Sequence, residues 1–273
     1  MVLEQIVRHT AKLREQRRRQ RPAALLAAEA KRRRDFRSIV QRFSRGFGVV
    51  AEVKKASPSE GLLVPRYCPA LIASRYEDGG ACAVSVLTCP PFFLGKLEHL
   101  RQVREAVSLP VLRKDFLTDP YDILESCAAG ADAVLLIVRL LDDAALASLS
   151  SLSRACGMET VIEVHDEKDL QRALAVCDRK TTVIGINNRD LATLKTDVAT
   201  TYRLLRHIPA DIINHVPVIS ESGLCPDDVG RLIQAGARGI LVGTSLLKAN
   251  NHADAVRTFL SGRRVYGAKS PAV

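Results

Sequence analysis

The chain contains no tryptophan, and aromatic residues make up only 4% of its 273 residues. It has no run of the roughly 18 uninterrupted apolar residues that a membrane span requires. Its amino terminus lacks the apolar core of a secretory signal, because Glu4, Arg8 and Lys12 interrupt it. These absences predict a cytoplasmic protein that does not act at a membrane.

Metal-binding or redox spacing of cysteines is also absent. The seven cysteines are an odd number, and no pair has the C-x-x-C spacing of such sites. Most of them stand among Ala, Val and Leu. We therefore expect buried free thiols in a reducing compartment, and no metal site.

The net charge of +10 comes from one end of the chain. Residues 1–47 hold 14 basic and 4 acidic residues, and the remainder is balanced. Two arginine runs, 17–21 and 31–34, dominate this segment. Apolar residues recur there at helical spacing, which predicts helices that pack on a body and expose a basic face: Leu3, Ile6, Val7, Leu13, Phe36, Ile39, Val40 and Phe43. Polyanion binding is the alternative, but no aromatic residues interleave with the arginines, so we expect no nucleic-acid partner.

Eight short apolar runs alternate with amphipathic segments from residue 48 onward. They begin at Gly48, Cys82, Val111, Ala133, Thr160, Val183, Val218 and Gly239. Nearly continuous apolar runs are typical of parallel strands that helices cover on both faces. We predict an α/β fold, a (β/α)8 TIM barrel over residues 48–262, with a helical extension over 1–47 and a tail over 263–273. A doubly wound open sheet is the alternative, although no G-x-G-x-x-G follows the first run.

Charged residues interrupt or end several of these apolar runs. Glu52 stands between Ala51 and Val53, Glu163 lies within a valine- and isoleucine-rich run, and Lys114 ends the third run. Burial of an ionised group costs several kcal/mol unless it is paired or hydrated. These side chains must therefore point into the barrel mouth or form buried ion pairs, for example between Glu52 and Lys54.

Small and hydroxyl residues follow the last two runs. Ser222-Gly223 and Gly243-Thr244 offer backbone N–H groups and hydroxyls where many barrels bind phosphate. Ordinary turn and capping chemistry is the alternative interpretation.

Six segments carry a resemblance to a known family. They are AEVKKASPSEG from Ala51, LRKDF from Leu112, VIEVHDEKDL from Val161, IGINNRDL from Ile184, VISESGL from Val218 and LVGTSLL from Leu241. The chain resembles the indole-3-glycerol-phosphate synthase family of tryptophan biosynthesis over residues 3–260. The resemblance implies a carboxy-lyase without metal or organic cofactor. It would act on 1-(2-carboxyphenylamino)-1-deoxy-D-ribulose 5-phosphate by ring closure, decarboxylation and dehydration.

The resemblance also implies roles for particular residues. Lys114 would be the general acid of ring closure, Glu163 the general base, and Lys54 the partner of the substrate carboxylate and a second acid, oriented by Glu52. Asn187, Arg189 and Glu221 would contact the sugar hydroxyls or the carboxylate. The phosphate would lie on Ser57, Ser222, Gly223, Gly243 and Thr244, and the aromatic ring against Phe93, Phe116 and Leu135. The sequence leaves open how Lys114 and Lys54 divide the acid steps.

Two loops depart from the family pattern. Glu60 stands where the family often has lysine, so we expect weaker substrate binding. The loop around Phe92 and Phe93 is also unusual. Two other functions compete: an isomerase or aldolase that uses the same phosphate loops, and an inactive barrel whose basic extension binds a polyanion or protein. Association with other tryptophan-pathway enzymes stays open.

Overall fold

Eight parallel strands form a closed barrel in the computed structural model, which describes residues 2–190 and 193–262. The strands are β1 Gly48–Val53, β2 Ala83–Leu87, β3 Val111–Lys114, β4 Ala133–Ile137, β5 Glu159–Val164, β6 Thr182–Asn187, β7 Val218–Glu221 and β8 Gly239–Val242. Each strand pairs with the next in sequence, and β1 also pairs with β8. The TIM-barrel prediction is confirmed, and the open-sheet alternative is wrong because the first and last strands are hydrogen-bonded to each other.

Helices cover the outside of the barrel and precede it. They are α1 Val2–Gln20, α2 Ala23–Arg32, α3 Val40–Phe43, α4 Pro69–Asp78, α5 Pro90–Phe93, α6 Leu97–Ala106, α7 Pro120–Ala128, α8 Asp143–Ala155, α9 Glu167–Val176, α10 Ala199–Leu205, α11 Ala210–Ile213, α12 Asp228–Gln234, α13 Thr244–Leu247 and α14 His252–Ser261. A short 3-10 turn, Val138–Leu140, follows β4, and a hairpin of Ala56–Ser57 with Gly61–Leu62 follows β1.

The alternation of strand side chains produces two apolar cores. Valines such as Val49 and Val53 point outward and pack with the surrounding helices. Val50, Leu112 and Leu241 point inward and fill the barrel interior. Because both faces of every strand are covered, the nearly continuous apolar runs of the sequence are explained.

The helical extension closes the amino-terminal end of the barrel. Ile39 and Phe43 are buried in the interior core, where the Phe43 ring lies against the backbone at the start of β1 and β8. The Glu159 carboxylate, at the start of β5, accepts hydrogen bonds from the backbone N–H groups of Ile39 at 2.7 Å and Val40 at 2.9 Å. A charge at the start of a short helix thus holds the segment in place.

The arginine-rich helices are attached to the barrel by ion pairs with α7. Arg14 Nε donates to both carboxylate oxygens of buried Asp122, at 2.9 and 3.0 Å. Arg17 pairs with Glu125 at 2.7 Å, and Arg18 with Asp119 at 2.6 Å. Part of the basic face therefore binds α7 and is not simply solvated as expected. We propose the boundary between extension and barrel at residues 47 and 48, because β1 begins there; the expected tail, 263–273, lies outside the described residues.

The cysteines differ from the sequence expectation. All seven are free, but only Cys89 and Cys127 are buried, and Cys68 and Cys225 are exposed. The apolar neighbours were misleading because Cys68 precedes α4 and Cys225 follows β7, and both positions are surface loops. Within the described ranges, no helix is long and apolar enough to cross a membrane.

Replacement of Arg14 by leucine tests whether its ion pair holds the extension. The change leaves the fully buried Asp122 carboxylate without its main partner. We therefore expect the free energy of unfolding to fall by about 3 kcal/mol. Urea unfolding at pH 7 measures this. The exposed Arg19, replaced by alanine, is the control and should change stability little. Equal losses for the two variants would contradict the ion-pair account.

Candidate functional site

A cavity of about 480 Å³ opens at the carboxyl ends of the strands. All fifteen residues that the sequence analysis singled out line it. They converge because parallel strands of a closed barrel end at one rim, so residues far apart in sequence meet there. The structure therefore brings the predicted residues together.

The Lys114 ammonium lies at the centre of this cavity, between two carboxylates. Lys114 ends β3, and its Nζ lies 2.6 Å from Oε2 of Glu221 and 3.4 Å from Oε2 of Glu163. Both carboxylates come from strand ends and are almost fully buried, at 1% and 2% exposure. The cluster therefore places a proton donor and a proton acceptor close enough together to act on the same bound molecule.

Glu52 and Lys54 form a second ion pair beside the first. Lys54 Nζ lies 2.6 Å from Oε1 of Glu52, which is buried in β1. The two side chains are two residues apart, so both point to the same side of the strand. A free carboxylate entering the cavity would meet the Lys54 ammonium already oriented by Glu52.

The charges of this cluster shift one another's pKa values. Burial opposes the charged form of Lys114, but Glu221, Glu163 and Glu52 outweigh it and raise the pKa of its ammonium. Burial also opposes ionisation of Glu163 and Glu52, yet Lys114 and Lys54 keep the pKa of each below its ordinary value. Glu221 differs: its burial, with the neighbouring Glu163 and Glu52 charges, outweighs Lys114 and raises its pKa to about 7.

Two glycines make room for these carboxylates. A Cβ on Gly185 would collide with Oε1 of Glu221, and one on Gly243 would collide with Oε1 of Glu52. Any side chain at either position would displace a charged group of the site. Gly185 and Gly243 are thus required for steric reasons, which the periodicity of the sequence alone does not reveal.

The far end of the cavity presents small residues in unusual conformations. Ser222 and Gly223 have φ angles of 70° and 72°, in the left-handed region. The Asn188 amide donates to the carbonyl of Ser222 at 3.1 Å and to the Ser220 hydroxyl at 3.0 Å, which fixes this turn. Ser57, Gly243 and Thr244 also line the cavity. Asn188 is a supporting residue that the sequence did not indicate.

An apolar wall faces the charged cluster. The rings of Phe93 and Phe116 lie 6.2 Å apart and are tilted by 34°, and Leu135 also lines the cavity. Leu3 and Ile6 of α1 reach the same cavity. The helical spacing of these two residues predicts only packing, because it does not reveal that α1 begins at the barrel mouth.

Two further polar residues stand at the end of β6. Asn187 Oδ1 accepts from the Arg189 backbone N–H at 3.0 Å, and the Asn187 side chain also hydrogen-bonds Glu163. The guanidinium of Arg189 donates to the Leu194 carbonyl at 3.2 Å. This segment therefore places an amide beside the Glu163 carboxylate and a cation at the rim.

Glu60 has a partner that the sequence did not indicate. Its Oε2 lies 2.6 Å from Nζ of Lys248, which follows α13 and also lines the cavity. The pair is half-exposed and joins the loops that follow β1 and β8. Besides adding a negative charge at the rim, Glu60 thus pairs with a cation that lines the cavity.

No group of three or more His, Cys, Asp or Glu side chains in residues 2–190 and 193–262 is arranged to hold a metal ion.

Comparison with known proteins identifies close relatives. The family model described as indole-3-glycerol phosphate synthase matches residues 3–259. The indole-3-glycerol phosphate synthase of Azospirillum brasilense is 45% identical over 216 residues, which cover 79% of this chain and 80% of that one. That of Rhodopirellula baltica is 44% identical over 244 residues, covering 88% and 91% of the two chains.

A solved structure shares the architecture at low identity. The 3-hexulose-6-phosphate synthase of Salmonella typhimurium superposes with a TM-score of 0.62 and 14% identity, over 81% of this chain and 100% of that one. At that identity the likeness concerns the fold alone.

The raised pKa of Glu221 predicts a pH-dependent stability. The unfolded carboxyl ionises near its ordinary pKa of 4.5, whereas the buried one keeps its proton until about pH 7. The native state thus binds more protons in that interval, and stability from this group is lost as pH rises from 4.5 through 7. We expect Glu221→Gln, which cannot ionise, to gain about 3 kcal/mol relative to the parent between pH 4 and 8.

Urea unfolding at several pH values measures this difference. Glu98→Gln, which removes an exposed carboxylate, controls for the loss of a titratable group. A stability difference between Glu221→Gln and the parent that stays constant from pH 4 to 8 would contradict the assignment.

Proposed function

The chain belongs to the indole-3-glycerol phosphate synthase family, and we propose how its own residues divide the ring closure, decarboxylation and dehydration of 1-(2-carboxyphenylamino)-1-deoxy-D-ribulose 5-phosphate. The observation that carries the proposal is the Lys114 ammonium held between Glu221 and Glu163 inside the cavity. The family match favours this function over the isomerase or aldolase and the inactive barrel.

Lys114 acts as the general acid of ring closure. The aromatic carbon that bears the carboxylate attacks the C2 carbonyl, and the carbonyl oxygen becomes an alkoxide that must gain a proton. The raised pKa of Lys114 keeps it protonated, and the alkoxide is a stronger base than an amine. Glu221 holds the ammonium in place at 2.6 Å.

Loss of carbon dioxide follows once the new ring carbon carries both the carboxylate and its new bond. Lys54 holds that carboxylate, with Glu52 keeping the ammonium oriented at 2.6 Å. The Phe93 and Phe116 rings and Leu135 enclose the aromatic ring and lower the local dielectric. We assign the enzyme on this basis to the carbon–carbon lyases, as a carboxy-lyase.

Dehydration needs a base and an acid at the same time. The lowered pKa of Glu163 keeps its carboxylate ionised and able to accept the ring proton. The departing hydroxyl takes a proton from Lys114 or Lys54, both within the cavity. Asn187, Arg189 and Glu221 contact the sugar hydroxyls, and these contacts orient the sugar part of the substrate for elimination.

The phosphate lies at the opposite end of the cavity. Ser57, Ser222 and Thr244 supply hydroxyls, and the backbone at Gly223 and Gly243, which also line the cavity, supplies N–H groups. We further propose that the enzyme works in the cytoplasm, where other tryptophan-pathway enzymes are candidate partners.

Substitution of Lys114 by alanine tests its role as acid. Turnover should fall at least about a hundredfold because the proton donor is lost, and it is compared in folded protein, since two buried carboxylates lose their cation. The chain has no tryptophan, so the fluorescence of the indole product stands out clearly. Lys168→Ala, an exposed change on α9, is the control, and similar turnover in the Lys114 and Lys168 variants would remove Lys114 from the mechanism.

Substitution of Glu60 by glutamine tests the rim pair. Lys248 then loses its carboxylate and becomes free to meet the substrate phosphate, so KM should fall about twofold to fivefold with kcat unchanged. The effect should shrink as salt is added, because the pair is half-exposed. Glu98→Gln controls for the change in net charge, and a KM that stays the same or rises would show that Lys248 is not used.

A further inference from the structure

His165 lies behind the proposed base, just past the end of β5. Its side chain is 2% exposed and lies between two carboxylates. Nε2 is 3.3 Å from Oε1 of Glu163, and Nδ1 is 3.6 Å from Oδ2 of Asp169. Neither ring nitrogen has a hydrogen-bond partner elsewhere in the described part of the chain, so the Glu163 and Asp169 carboxylates are the acceptors that stand beside this buried imidazole.

The groups around His165 hold the ring in this position. Asp169 of α9 accepts from the His165 backbone N–H at 3.1 Å and from Arg139 Nε at 3.0 Å. Arg139, on the 3-10 turn after β4, also pairs with Asp166 at 2.9 Å. On the other side, Glu163 faces Lys114 of β3 and Asn187 of β6. His165 thus has a carboxylate on each side, and a cation stands beyond each carboxylate.

Two cavities meet at this histidine. The large cavity is lined by Glu163 but not by His165, whereas a second cavity of about 270 Å³ is lined by His165 but not by Glu163. Asn187 and Arg189 line both. The imidazole therefore touches the carboxylate from the side opposite to the substrate and leaves the reacting space free.

We propose that His165 is a positioning residue for Glu163: Nε2–H holds Oε1, so that Oε2 is directed to Lys114 and the substrate. The inference rests on the proposed role of Glu163 as base. A carboxylate held by one donor on each oxygen cannot rotate away from its target, and a donor to its charged form keeps it ionised. The imidazole bonds to the carboxylate and takes no proton from the substrate.

Two amide substitutions separate this role from a structural one. In His165→Gln the side-chain amide reaches the position of Nε2 and can still donate to Glu163. In His165→Asn the amide reaches only the position of Nδ1 and serves Asp169. We expect Asn to lower kcat about tenfold with KM within twofold, and Gln to restore kcat to within about threefold of the parent.

The pH profile gives a readout that folding does not move. Without a donor at Oε1 the charged form of Glu163 is less stable, so its pKa rises. The acidic limb of kcat should therefore move to higher pH in His165→Asn and stay in place in His165→Gln. His207→Asn, an exposed change at the end of α10, is the matched control.

Three outcomes decide the proposal. Normal kcat in both His165→Gln and His165→Asn would overturn it. A loss of kcat in His165→Gln with normal kcat in His165→Asn would also overturn it, because the ring would then act through Asp169. Near-normal turnover of Glu163→Gln, measured in parallel, would overturn the role of Glu163 and not that of His165 alone. If the variants do not fold, ¹⁵N NMR of the parent imidazole decides: a proton on Nε2 is expected, and its absence contradicts the hydrogen bond.

Discussion

Two ammonium groups and three carboxylates form one buried cluster in the cavity wall, and the balance of their charges governs the site. Lys114 is held by Glu221 and Glu163, and Lys54 by Glu52. Within this cluster the carboxylates outnumber the ammonium groups by one. Glu221 is the carboxyl whose pKa rises, because of its burial and the neighbouring Glu163 and Glu52 charges. A substrate carboxylate arriving at Lys54 would add a further negative charge, which makes a protonated Glu221 easier to keep.

The barrel supplies what this balance needs. Closure of the sheet brings the ends of β1, β3, β5 and β7 to one rim, and Gly185 and Gly243 leave space for two of the carboxylates. The extension contributes at both ends of the barrel: Phe43 fills the amino-terminal end, and Ile6 reaches the mouth. Three of its arginines, Arg14, Arg17 and Arg18, pair with acidic residues at α7, so the strong basicity of the sequence is in part a means of attachment.

The sequence predicted correctly which charged residues stand at the strand ends. An ionisable residue in an apolar run must face the barrel mouth or form an ion pair, because an unpaired buried charge is costly. It could not predict which charges pair over long distances. The Glu60–Lys248 pair joins loops 188 residues apart, and Arg14 meets Asp122 across 108 residues. It also misjudged the burial of Cys68, because apolar neighbours do not reveal that a loop lies on the surface. His165 was visible beside Glu163, but its contact with Oε1 depends on how β5 ends.

The most direct test of the charge balance is infrared difference spectroscopy of the carboxyl groups across a pH titration. The account predicts the C=O band of a protonated carboxylic acid that disappears as pH rises through about 7 and that is missing in Glu221→Gln. A parent spectrum with no such band between pH 5 and 9, or a band that persists unchanged in the glutamine variant, would contradict it.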